Sequence, residues 1–223
     1  MSILAIIGES GSGKSTTLRT LDPERTLIID SDGKGLSWQG WRKQYKDGVN
    51  YFKTSRCDVI YRILEPAMKS DKFTNFCIDT VSGVMLDIEM GRALETGYNK
   101  WTELAKSIYD LVNYCAVASS ESRNFILTFH TEVDRTNGAD AWTQIRVSGR
   151  KLGVIGLESK FPIVLLARQI FEERGGKGNN RYVLETQSYR STAKSPVGMF
   201  PEFQIPNDGA YILQRIAEYE GIN

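Results

Sequence analysis

The segment Ile3-Leu4-Ala5-Ile6-Ile7, followed at once by Gly8-Glu9-Ser10-Gly11-Ser12-Gly13-Lys14-Ser15-Thr16, constrains the fold more than any other part of the chain. A short, continuous apolar run is the mark of a strand buried on both faces. The glycines that follow let the backbone turn so that successive amide N–H groups converge on one point. Lys14 to Leu21 has helical character up to Pro23, so the turn ends at a helix N-terminus with its partial positive charge. A GxxxxGKS spacing between strand and helix suits a row of phosphate oxygens. The loop from Gly8 to Thr16 cradles the anion, Lys14 reaches the outer phosphates, and the Ser15 hydroxyl is placed for Mg²⁺. The competing reading is a glycine-rich turn with a solvated lysine, but chance alone yields so full a match in about one chain of this length in a hundred.

Further buried strands are expected at Thr26 to Ile29, at Phe76 to Ile78 before Asp79, at Phe125 to Phe129 before His130, and at Ile163 to Leu166. Helical stripes lie between them. Leu104, Ile108, Leu111, Val112 and Cys115 recur at offsets of four and three, and Val59, Ile60, Ile63, Leu64 and Ala67 do the same. Ser55 and Asp58 have capping-box spacing ahead of the second stripe, and Pro66 is expected to kink or shorten its helix. Strands alternating with amphipathic helices predict an α/β fold, a mostly parallel central sheet flanked by helices. Towards the C-terminus, Arg181 to Thr186 and Arg190 to Ala193 predict a short antiparallel extension, with Gly175 to Asn180 as a loop and Tyr211 to Tyr219 as a final helix. The chain reads as one domain over residues 1–223, with no room for another before the first strand.

With 41% hydrophobic and 25% charged residues, the chain can build a real core, which excludes whole-chain disorder. Three scattered cysteines, Cys57, Cys77 and Cys115, make no disulfide framework and point to a reducing, cytoplasmic setting. A single histidine and the absence of any CxxC pair set structural zinc aside. No apolar run approaches the roughly 20 residues that cross a bilayer, so no membrane partner is expected.

Other candidate residues follow strand ends. Asp79 suits the acid that holds hydrated Mg²⁺, its alternative being a cap or turn residue. Asp30 and Asp32 follow the second strand, and either can point into the crevice at the carboxyl ends of the sheet or solvate the turn at Gly33. His130 is placed on the same edge, where its imidazole can hydrogen-bond the terminal phosphate or an attacking water and report hydrolysis to the segment beginning at Thr131. That long segment, Thr131 to Lys160, carries Trp142, Arg146, Arg150 and Lys151, the aromatic and basic mixture that single-stranded nucleic acid binding uses; a solvated surface loop is the alternative. The net charge is only +1, yet Trp142 to Phe200 holds ten basic and four acidic residues, whereas Asp79 to Glu121 holds seven acidic and three basic ones. Neutrality is therefore an average over two unlike regions.

GESGSGKST, LIIDSDGKGL, FCIDT, ILTFHT and TAKSPVG, in that order from about Ile3 to Ile205, resemble the RecA-like P-loop NTPase core. More narrowly they resemble short phage-encoded, single-domain RecA-like proteins that act as single-strand-annealing recombinases. The resemblance implies ATP and Mg²⁺ as cofactors, with Lys14 and Ser15 on triphosphate and metal and Asp79 as the metal-associated acid. It makes His130 the polar γ-phosphate sensor. Asp32 falls where such ATPases place a water-activating glutamate, and is one methylene shorter. Lys194 resembles the basic residue that one subunit inserts into a neighbour's site, which implies a homo-oligomer, ring or filament, with catalytic sites shared between subunits. The implied partners are single-stranded DNA, contacted by the loop of Trp142, Arg146, Arg150 and Lys151, and a single-strand-binding protein; the implied location is the cytoplasm, that of the host if the chain is phage-encoded. Two other functions share the phosphate loop: a kinase of a nucleoside or small metabolite, and an ATP-switched assembly factor such as a helicase loader.

Overall fold

The computed structural model describes residues 3–97, 99–134, 141–149, 156–174 and 177–222. Strand β1 (Ile3–Gly8) is buried along its whole length, and its side chains alternate between two cores. Ile3, Ala5 and Ile7 face one core, Leu4 and Ile6 the other. That alternation is why the run has no polar residue: a strand in the middle of a two-faced sheet has no solvent side.

β2 (Thr26–Asp30), β3 (Tyr51–Lys53), β4 (Asn75–Asp79) and β5 (Asn124–Asp134) pair in parallel with one another or with β1. Strand β6 (Trp142–Ile145) folds back antiparallel on the end of β5, and β7 (Ile163–Arg174) lies parallel to β1 on its other side. β8 (Lys177–Glu185) and β9 (Gln204–Pro206) complete the sheet antiparallel, in the order β3-β2-β4-β5-β1-β7-β8-β9. This is the expected α/β architecture with its antiparallel C-terminal extension.

Helices cover both faces. On one lie α3 (Cys57–Lys69), α4 (Val81–Gly91) and α5 (Asn99–Ala118), whose stripe of Leu104, Ile108, Leu111, Val112 and Cys115 is buried as the spacing predicts. On the other lie α1 (Lys14–Thr17), continued by a 3-10 turn at Leu18–Thr20, and α6 (Gly209–Glu220), which packs Ile212 and Ile216 into the second core. Between β2 and β3 sits the one-turn helix α2 (Trp41–Gln44). No helix among the described residues is long and apolar enough to cross a membrane.

Five local expectations are refined or corrected. The helix after the phosphate loop is α-helical only over Lys14–Thr17, because it tightens to 3-10 geometry before Pro23. Ser55 and Asp58 form no capping box; Arg56 occupies the cap position without a side-chain bond, and Asp58 pairs with Arg56 and Arg62. Pro66 does not cut α3 short, since the helix continues to Lys69. The antiparallel hairpin joins β7 to β8, with Lys177 to Asn180 in strand, whereas Arg190 to Ala193 contributes only an isolated bridge from Ser191 to Thr143. The segment after His130 is likewise not all loop: β5 runs on to Asp134 and pairs with β6.

Candidate active site

Strand register brings the site together. Gly8 sits opposite His130, Asp30 opposite Asp79, and Ile78 opposite Leu127, all near the carboxyl edge of the sheet. Because β5 lies between β1 and β4, the histidine strand separates the phosphate loop from the Asp79 strand.

Gly11 and Gly13 have φ of +82° and +98°, a region that disfavours side chains, and so bend the loop back over the edge. Gly8 has no room for a side chain: a Cβ there would fall 2.4 Å from Ser12 Oγ and 2.9 Å from the Ala167 carbonyl. The Gly13 carbonyl accepts from Thr17 N, Thr17 Oγ1 and Asn207 Nδ2, and a Cβ on Gly13 would meet the Tyr182 ring at 2.7 Å. Tyr182 on β8 and Asn207 after β9 thus buttress the loop. Nothing local in the sequence marks either residue; only the antiparallel return of the chain places them there.

Lys14 is 5% exposed, and its Nζ donates to the carbonyls of Gly8 at 2.9 Å and Glu9 at 2.7 Å. Burial pulls its pKa down from 10.5 to about 8, although Asp79 and Asp32 oppose the shift. His130 Nδ1 lies 3.4 Å from Lys14 Nζ. An ammonium only donates, so Nδ1 accepts and the ring proton rests on Nε2. Burial and the Lys14 charge hold the His130 pKa below its ordinary 6.5, which keeps the ring neutral at physiological pH. The His130 backbone N–H donates to Ser82 Oγ at 2.9 Å, tying the end of the buried strand to α4.

Asp79, 6% exposed, accepts from Thr128 Oγ1 at 2.6 Å and from the Ser15 hydroxyl. Burial pushes its pKa up, while those two hydrogen bonds and Lys14 pull it down and Asp30 adds repulsion. Immediately after it, Thr80 Oγ1 caps α4 by accepting from Gly83 N at 3.0 Å. Asp79 is thus the polar end of a buried strand, and the cap falls to its neighbour.

The two aspartates after β2 divide their work. Asp30 accepts from Gly33 N at 2.8 Å, Gly35 N at 2.7 Å and Tyr51 Oη at 2.5 Å, so it shapes the turn. Asp32 lines the cleft and pairs with Lys34 at 2.9 Å. Lys34 was not singled out from the sequence; its position four residues after a buried strand-end acid, in a Gly-Lys-Gly turn, is the signal that would have found it. On α4, Gly83 comes so close to this turn that a Cβ would lie 2.5 Å from Asp32 Oδ1.

These elements surround a cleft of about 400 Å³ lined by Lys14, Ser15, Asp32, Lys34, Asp79 and His130, with Thr16 and Ser37 at one wall. The donor set fits a magnesium–triphosphate. Two cations, Lys14 and Lys34, face the cleft, and one hydroxyl and one carboxylate converge at Ser15 and Asp79. Among the described residues no group of three metal-ligating side chains occurs. Mg²⁺ keeps several waters and takes one or two protein ligands plus phosphate oxygens, a number that Ser15 and Asp79 supply. Ser15 and Asp79 would hold it, and the ion would supply charge neutralisation between the outer phosphates.

The loop from Gly8 to Thr16 is assembled with Asp32, Asp79 and His130. Lys194 lies elsewhere, its backbone bridged to Val164 on β7. Trp142, 41% exposed, stands on β6, and exposed Arg146 follows it with its N–H donating to the His130 carbonyl at 2.8 Å. Arg150 and Lys151 lie outside the described residues.

Residues 2–197 match the AAA domain family. The chain belongs to that family. Its members are phosphate-loop NTPases, which bind nucleotide together with magnesium. A comparison with curated proteins returns no match.

Proposed function

We propose that this AAA-domain ATPase is a RecA-like, oligomeric recombinase that binds single-stranded DNA and couples ATP turnover to annealing or strand exchange. The observation that carries the reading is the continuity of β5. The strand runs from the buried core through His130, beside Lys14, straight into the β5–β6 arm that bears Trp142 and Arg146, and Arg146 is hydrogen-bonded back to His130. A change in what His130 faces thereby reaches the basic, aromatic β6 through its pairing with β5 and the Arg146–His130 hydrogen bond.

In the reaction, the loop amides and Lys14 orient the phosphates and offset their charge. Asp32 accepts a hydrogen bond from the attacking water once Lys34 moves to phosphate, and neutral His130 holds the terminal phosphate through its Nε2 proton. Lys194, remote from its own cleft, would act in a neighbour's, so turnover would require assembly. The Asp32–Lys34 pair also supports a second reading, an ATP-switched assembly factor with slow turnover, because the carboxylate oxygen that would orient the water is already engaged by Lys34.

Negative-stain imaging with single-stranded DNA and a non-hydrolysable ATP analogue tests the reading. Rings or filaments on the strand are expected. Monomers that bind nucleotide but leave the strand bare would refute it.

A further inference from the structure

Between the phosphate loop and α3 lies a stretch whose first residues line the nucleotide cleft and whose remainder carries more charge and aromatic surface than that cleft uses. Residues 34–53 carry five basic residues against one acidic, together with five aromatics, in a chain whose net charge is +1. The structure gathers most of them at the β3 edge of the sheet, where Trp41, Arg42, Tyr45, Lys46, Tyr51 and Lys53, with the single carboxylate Asp47, line a cleft of about 240 Å³. Two of the rings, Tyr45 and Tyr51, are buried and form its floor, while Trp41 is half-buried and Arg42, Lys46 and Lys53 are exposed.

The aromatics are fixed. Trp41 packs on Tyr51 with ring centroids 5.0 Å apart, and Trp38 meets Tyr45 edge-on at 5.9 Å. The cations are drawn to ring faces, Arg42 at 5.2 Å from the Trp41 centroid and Lys53 at 6.0 Å from that of Tyr51. A ring held rigid at the rim of a cleft and flanked by unpaired-sign charge matches a polyanion whose bases are free to stack. Base stacking on aromatics and phosphate contact with Lys and Arg are the two components of single-strand binding.

The cleft is also wired to the ATP site. The Trp41 ring lies against Gly35, where a Cβ would fall 2.9 Å from Cζ2, and Gly35 lines the nucleotide cleft on its other side. Tyr51 donates to Asp30, whose other bonds hold the turn that presents Asp32 and Lys34.

We propose that the β3-edge cleft is a binding site for single-stranded DNA, with Trp41 as the stacking surface and Arg42, Lys46 and Lys53 as phosphate contacts. This rests on the reading of the protein as a single-strand binder and assigns it a surface separate from the β5–β6 arm.

The test is fluorescence anisotropy with a labelled oligothymidine, on the full chain with ATP analogue and Mg²⁺. Trp41→Ala is expected to weaken binding roughly 10- to 100-fold, the loss of about one stacked base. Since Trp41 also packs on Tyr51, the double variant Arg42→Glu/Lys46→Glu, which leaves the packed rings in place, is measured beside it. It should weaken binding and flatten the salt dependence by roughly 1 to 1.5 in log–log slope. Photo-crosslinking from a halogenated thymidine strand should label a peptide within residues 38–53. Wild-type binding with both variants unchanged, crosslinks confined to residues 131–160, or competition by polyglutamate as strong as by unlabelled oligothymidine would overturn the cleft assignment and leave the single-strand reading standing. No wild-type binding at all would overturn both.

Discussion

The two clefts share a wall at Gly35 and Trp41, yet they treat charge in opposite ways. In the nucleotide cleft the charged groups at the centre are paired: Lys14 is tied to two carbonyls, Asp79 to two hydroxyls, Asp32 to Lys34. At the β3 edge the cations are exposed and held only loosely over rings. Buried charge must be paired, because desolvation is costly, and pairing fixes positions well enough for chemistry. Exposed charge keeps its hydration and its freedom, which suits a long polyanion that is gripped at many points weakly. A single change should therefore matter far more in the first cleft than in the second.

Lys14→Ala is the strongest way to break that contrast. Hydrolysis should fall by at least about 10²-fold with the circular dichroism spectrum unchanged, since phosphate clamps act at that scale. Retained turnover would show that the loop lysine does not face phosphate. Gly83→Ala comes next. Its methyl would press on Ser31 and on Asp32 Oδ1, displacing the carboxylate without touching nucleotide. We expect kcat to drop on the order of 10- to 100-fold with KM nearly constant, the cost of misplacing one reacting group. Equal loss in both parameters would mean that Asp32 serves binding instead.

The pH response separates the clefts more gently. Bound phosphate favours protonated Lys14, whose pKa in the free protein is about 8 against 10.5 unfolded. Nucleotide affinity should therefore weaken above pH 8, by at most about tenfold per unit, with proton uptake visible in buffer-dependent calorimetric heats. For the free protein the unfolded chain binds the extra proton between pH 8 and 10.5, so the Lys14 contribution to stability rises with pH across that window. A flat affinity from pH 7 to 10 would show that Lys14 stays charged throughout. Smallest is Tyr51→Phe, which removes the bond to Asp30 and loosens the Asp32 turn. Strand affinity should hold while strand-stimulated turnover falls roughly 2- to 5-fold, in line with a loss of about 0.5–1 kcal/mol at the transition state.

Much of this was written locally in the chain. The strand ending at Gly8 and the glycines at 11 and 13 specify a turn with only one workable geometry, and the 3.6-residue stripe of α5 is buried as spaced. Asp79 and His130 were legible because each closes an apolar run. What escaped depends on tertiary context. Asp30 and Asp32 both line the cleft, and which of them is tied up in the turn depends on a tyrosine 21 residues beyond Asp30. Tyr182 and Asn207 reach the loop only through an antiparallel return across β8 and β9, and α4 was hidden because its apolar residues are not confined to one stripe. The basic aromatic segment 34–53 was missed because α2 is a single turn, too short for periodicity to reveal.

The central claim is that ATP chemistry at the buried cleft answers to a single strand bound on the exposed surfaces. Steady-state ATP hydrolysis with and without saturating oligothymidine tests it most directly, using Lys14→Ala as the zero. Turnover should rise with single strands, saturate with them, and respond little to duplex. Hydrolysis that is identical with no DNA, single strands and duplex, in a protein that also fails to retain the strand, would contradict it.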